Sequence, residues 1–131
     1  WLPGVPQVYY VGLLAGHNDM DLLARSGVGR DINRHHYSPA EITAALQRPV
    51  VADLCRLIRL RNAHPAFQGR FSLLPSDDET LAMQWADGPH SATLTVNLRS
   101  RAVQVQLQGP DGSQAHPLQQ AAAAGSPAVA L

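Results

Sequence analysis

Hydrophobic positions change their period once along this chain, and the change divides it. From Phe67 onward the period is two. Phe71 and Leu73 alternate with Arg70 and Ser72, and Leu81, Met83 and Trp85 with Ala82 and Gln84. Ala92, Leu94, Val96 and Leu98 alternate with Thr93, Thr95 and Asn97, and Val103, Val105 and Leu107 with Gln104 and Gln106. Between these runs stand Pro75-Ser76-Asp77-Asp78, Asp87-Gly88-Pro89, Arg99-Ser100-Arg101 and Gly109-Pro110-Asp111-Gly112. Four short alternating runs with turn residues between them predict an antiparallel sheet with one face in water. The tail from Gln119 to Leu131 is low in complexity, with one weak final strand expected at most and disorder otherwise.

Before that change the pattern is different. Val5 to Val11 is a continuous apolar run, which suits a strand buried on both faces of a parallel sheet. Gly12 to Gly16 then forms a turn. Asn18 is placed to cap a short helix over Asp19 to Arg25, with Asp21 three residues on, and Gly27 and Gly29 end it. Ser38-Pro39-Ala40-Glu41 is a strong start signal: Ser38 caps, Pro39 takes the first helical position, and Glu41 closes a capping box. That helix runs to about Leu46. Pro49 opens a longer one, with Val50, Leu54, Leu57, Ile58 and Arg61 on an apolar stripe and Asp53, Arg56 and Arg59 off it. Asn62-Ala63-His64-Pro65 ends it. A lone parallel strand needs neighbours that nothing else in the chain supplies. The expected fold class is therefore α/β: the closing strand, loop and helices of a larger domain (residues 1–66), an appended antiparallel β domain (67–118), and a tail (119–131). On this reading the chain is a C-terminal fragment.

Composition narrows the function classes. The 131 residues carry a formal net charge of +0, so there is no electrostatic footprint for nucleic acid and none for an anionic membrane. No apolar run approaches the roughly 18 residues that a membrane span needs. All ten basic residues are arginine, a bias that fits genome composition given the abundance of alanine, and they are scattered. Cys55 is the only cysteine, so no internal disulfide can form, which fits a cytoplasmic location; it falls mid-helix as a small core residue.

The chemistry concentrates between Gly12 and Tyr37. Arg30 and Asp31 follow a glycine-rich stretch, and the fork of an arginine suits a carboxylate across a polar cleft; the alternative is an arginine that ties the loop down. His35 and His36 are adjacent and point apart on an extended segment, so loop hydrogen bonding is expected and no metal. No two acids form a catalytic dyad: Glu41 is committed to capping, Asp19 and Asp21 to a helix start, and Asp77-Asp78-Glu79 to a turn. No phosphate-cradling loop, dinucleotide fingerprint or nucleophile elbow is present, and no cofactor is expected.

With these residues in place, PGVPQVYYVGLLAGHNDMDLL, GVGRDINRHHYSPAEI and LQRPVV closely resemble the sucrose phosphorylases, a subgroup of the α-amylase superfamily in glycoside hydrolase family thirteen. The likeness is near-continuous over Leu2 to about Phe71. The resemblance implies that Val5 to Val11 is the eighth strand of a (β/α)8 barrel and that the following loop rims the active site. It implies Pro49 to Asn62 as the eighth barrel helix, and a retaining double displacement that yields α-glucose 1-phosphate. The three catalytic acids of that chemistry would lie upstream of Trp1, so no catalytic residue is expected here and the isolated chain is expected to be inactive. One substrate-binding residue carries over, Arg30, which would fix the glucosyl unit in the donor subsite. Asp31, Asn33 and Arg34 match the motif and would shape the loop, and His36 stands where many members have tyrosine. The implied partners are a small sugar and inorganic phosphate, with a homodimer left open. The competing readings are a phosphorylase of another α-glucoside, such as glucosylglycerate or sucrose 6′-phosphate, and a non-catalytic β-module that binds glycan or protein.

Overall fold

The computed structural model describes residues 1–116 and 118. The tail expectation for 119–131 falls outside the described residues. The chain divides into two compact units, Gly4–Ile58 and Trp1–Pro3 with Arg59 onward.

In the unit Gly4–Ile58 the elements are helical. Helix α1 is Tyr10–Leu13, α2 is Met20–Ser26, a 3-10 turn covers Gly29–Asn33, and α3 is Pro39–Leu46. Helix α4, Pro49–Ala63, begins in this unit. Ser38 caps α3 with the full capping box: its hydroxyl accepts from the Glu41 amide at 3.3 Å, and a Glu41 carboxylate oxygen accepts from the Ser38 amide at 2.7 Å. The α2 cap is Asp19, one residue later than expected, because its carboxylate reaches the Leu22 amide at 2.8 Å. Leu14, Ala45 and Val51 form the core, with Ala15, Tyr37 and Cys55 packed against it. Cys55 thus packs as the small apolar residue expected.

Two expectations for this unit fail. The strand over Val5 to Val11 does not form: residues 5–9 have no regular structure and the chain turns into α1 at Tyr10. A strand must give its main-chain N–H and C=O groups to a ladder, and every strand among the described residues belongs to the sheet that follows Arg70. Without a partner, Val5 is 87% exposed and Tyr9 50%. On α4 the expected stripe holds at Leu54, Leu57, Ile58 and Arg61, which are half-buried, but not at its first turn. Val51 and Asp53 are its buried residues and Val50 is exposed. Asp53 tolerates burial because Arg56, one turn on, pairs with its carboxylate.

The unit from Arg59 onward is a five-stranded antiparallel meander, β1 (Arg70–Leu73), β2 (Thr80–Asp87), β3 (His90–Asn97), β4 (Val103–Gly109) and β5 (Gly112–His116), in sequence order across the sheet. The four expected strands stand where the alternation put them. The fifth, GSQAH, has no apolar alternation and is added by the turn that returns it onto β4, where Gly109 pairs with Gly112. Register places Phe71 opposite Trp85, Trp85 opposite Ala92 and Ala92 opposite Leu107, so these share the apolar face. Ala66, Phe67, Trp85 and Ala92 make the core. Gly69 enters the sheet so closely that a Cβ would run into the Ala86 carbonyl.

Candidate functional site

The site is built in the unit Gly4–Ile58 from three short connections. The first is the exit from α1. Ala15 takes a left-handed φ of 49°, the Gly16 amide donates back to Val11 O at 2.8 Å and the Ala15 amide to Gly12 O at 3.1 Å, which is the pattern of a Schellman C-cap. Arg48, between α3 and α4, donates to the carbonyls of Leu14 at 3.3 Å and Ala15 at 2.8 Å. It thereby satisfies acceptors that a helix end leaves open.

The second connection is the 3-10 turn that carries the GRDIN sequence. The Asp31 amide donates to Val28 O at 2.9 Å, and the Arg34 amide to Asp31 O at 3.0 Å. The Asp19 amide donates to Ile32 O at 2.6 Å, fastening the turn to the start of α2. Arg30 is the second residue of this turn and is exposed; among the described residues its guanidinium has no ion pair or hydrogen bond. Asp31 is half-buried, Asn33, Arg34 and His36 are exposed, and the sequence motif is presented outward.

The third connection centres on His35, which the sequence left as an ordinary loop histidine. Its Nδ1 lies 2.7 Å from Asp19 Oδ2 and its Nε2 3.0 Å from Glu41 Oε1. The Tyr37 ring meets the imidazole edge-on at 4.6 Å. A neutral imidazole has one N–H donor, so contact with a carboxylate at both nitrogens calls for the imidazolium. The electrostatics agree. Asp19, followed by Glu41, raises the His35 pKa above its usual value. The His35 contact, with the Leu22 amide second, lowers that of Asp19. Glu41 falls to about 2, first through the Ser38 amide and hydroxyl and then through His35. No local spacing rule links residues sixteen and six positions apart, so the cluster was not legible in the chain.

Asp19, His35, Tyr37, Glu41 and Arg48 line an open depression of about 940 Å³ together with His17, Asp21 and Arg25. Arg30 is not among its lining residues. Among the described residues no group of three His, Cys, Asp or Glu side chains could hold a metal ion; Asp19 and Glu41 sit on opposite nitrogens of His35 and share no point of convergence. No helix among these residues is long and apolar enough to cross a membrane.

Comparison with known proteins gives this geometry its setting. No family model matches the chain. Over 95 residues, 72% of the chain, it is 54% identical to a sucrose phosphorylase of Agrobacterium vitis, of which it covers 20%. Over 103 residues, 79% of the chain, it is 48% identical to a glucosylglycerol phosphorylase of Marinobacter adhaerens, of which it covers 22%. The crystal structure of sucrose 6F-phosphate phosphorylase from Thermoanaerobacter thermosaccharolyticum superposes with a TM-score of 0.84 at 36% identity, over 87% of this chain and 23% of that one. The chain spans about a fifth of the length of the curated relatives it matches. It belongs to the sucrose phosphorylase family and corresponds to the C-terminal region of its members.

Proposed function

We propose that this chain is the C-terminal part of a retaining α-glucosyl phosphorylase of the α-amylase superfamily, acting on sucrose and inorganic phosphate to give α-glucose 1-phosphate and fructose by double displacement. The observation that carries this reading is the 54% identity over 95 residues to a protein named as a sucrose phosphorylase. In the parent, residues 1–66 are the last β/α unit of the catalytic barrel, and the Val5–Val11 run becomes a strand once a neighbouring strand offers it a ladder. The nucleophile and the acid/base come from outside this chain, which alone is inactive. Arg30 works in the donor subsite, and its exposed guanidinium, unpaired among the described residues, is what a residue awaiting a carboxylate or a sugar hydroxyl would present. The enzyme is cytoplasmic.

A second reading has an observation in its favour. Relatives named for glucosylglycerol and for sucrose 6F-phosphate are 48% and 45% identical, close enough that the leaving group is open between them. Phosphate-dependent turnover of the parent on sucrose, sucrose 6F-phosphate, glucosylglycerol and glucosylglycerate decides it. A preference for sucrose supports the first reading, and absence of turnover on all four rejects both. Arg30→Ala in the parent is expected to lower kcat/KM for the glucosyl donor by about a hundredfold, as loss of a positioning contact does. Near-normal turnover would remove Arg30 from the site.

A further inference from the structure

We propose that His35 is a positioning residue for Arg30: bridged between Asp19 and Glu41, it fixes the turn Gly29–Asn33 between the starts of α2 and α3 and so sets where the arginine stands. The inference rests on the donor-subsite reading of Arg30. The physical chain is short. Asp19 has four attachments: its amide holds Ile32 O at 2.6 Å, its carbonyl the Leu23 amide at 3.1 Å, one carboxylate oxygen the Leu22 amide at 2.8 Å, and the other His35. Arg30 is two residues before Ile32, on the same single turn. Glu41 takes the other side of the ring at 3.0 Å while its second oxygen holds the Ser38 amide. The segment that carries Arg30 is therefore held at Ile32 by the Asp19 amide and, just beyond its end, through the His35 imidazole to the first turns of two helices. The turn itself fully buries no residue, its Ile32 being only half-buried, so polar ties carry much of its fixation.

The bridge also has a direction with pH. Both ring nitrogens must carry protons to serve both carboxylates. Asp19, then Glu41, raises the His35 pKa. The groups facing the ring are Asp19 from α2, Glu41 from α3 and Tyr37 on its own segment, while His17, Asp21, Arg25 and Arg48 line the same depression. As pH rises through the raised value, one nitrogen turns a lone pair toward a carboxylate and the bridge loosens. Acidification has no such effect until Asp19 and Glu41, both lowered, take up protons.

The test is a double-mutant cycle in the full-length parent with His35→Gln, Arg30→Ala and the pair, read as kcat/KM for the glucosyl donor. Positioning predicts that His35→Gln lowers kcat/KM by about tenfold or more, and that the pair is no worse than Arg30→Ala alone, because the two residues act as one unit. It also predicts that an alkaline limb of the wild-type pH profile is absent from His35→Gln. A merely structural histidine would lower thermal stability, leave the cycle additive and leave the pH profile unmoved; that outcome overturns the proposal. Hydrogen exchange at the Asp31–Arg34 amides is the second measurement. It is expected to speed up in His35→Gln relative to wild type, and unchanged protection also overturns the proposal. Should the parent fail on every glucosyl donor, the functional reading falls by itself, and the exchange measurement still decides whether His35 holds the turn.

Discussion

Ala15 occupies the left-handed position of a helix C-cap, where glycine is at ease and a Cβ is not. For an L-residue that conformation costs about 1–2 kcal/mol, and glycine returns part of the gain as entropy of the unfolded chain. Ala15→Gly should therefore stabilise the protein by about 0.5–1 kcal/mol in urea unfolding; destabilisation would mean that the side chain, which packs against the Leu14 cluster, outweighs the backbone. Gly69 is the opposite case. Its missing Cβ makes room for the Ala86 carbonyl, so Gly69→Ala should cost about 2 kcal/mol or more through forced backbone movement. The ion cluster adds a pH signature at the same scale. The raised pKa of His35 means its contribution is complete below the ordinary value near 6.5 and is lost as pH rises through the raised one. The lowered pKa of Glu41 means its contribution is complete above the ordinary carboxylate range and is lost only as pH falls through about 2. An NMR titration of the His35 ring should accordingly give a value above about 6.5, which falls in Glu41→Gln; an unshifted ring would deny the bridge.

Elements whose cause is local were legible in the chain. Ser38, Pro39 and Glu41 announce α3 because a capping box is decided within four residues, and the structure contains it in full. Ser38→Ala should cost about 1 kcal/mol, seen as a lower melting temperature together with faster amide exchange at the start of α3. The four alternating runs gave their strands for the same reason: a period of two describes a half-buried ladder without needing to know the partner. Elements whose cause lies elsewhere were not legible. Val5 to Val11 has the composition of a strand, but a ladder is a property of two segments, and the described residues offer that run no second one. Strand β5 is the converse, a segment with little strand character recruited by its turn. On α4 Asp53 goes inside because Arg56 pairs with it, an exchange that periodicity alone does not see. Of the candidate site, the contacts of His35 were not legible, because they depend on carboxylates that only folding brings to it.

At the scale of the whole molecule the two units differ in how completely they close. In the β unit, Trp1 returns to a core made some 65 residues later. Its ring meets Phe67 edge-on at 4.9 Å, and its carbonyl accepts from Trp85 Nε1 at 2.7 Å. Arg61 lies over both Phe67 and Trp85, at 4.8 and 5.0 Å from their ring centroids, and covers the cluster with a delocalised cation. Trp1→Ala should then destabilise this unit by about 2 kcal/mol, less than for a fully buried tryptophan because the residue is only half-buried. The other unit has no comparable closure over its first residues. Val5, Val8, Tyr9 and Tyr10 follow one another in water, a concentration unlike the scattered apolar residues that ordinary surfaces tolerate. Among the described residues the main-chain groups of residues 5–8 make no hydrogen bond, so they can pair with another copy as an uncovered edge does. The chain alone should therefore bind a hydrophobic dye and scatter light on concentration, and Val5→Thr with Val8→Thr should reduce both without lowering the melting temperature. A soluble monomer with a cooperative melt and no dye binding would mean that the run is covered in solution and needs no ladder from another segment.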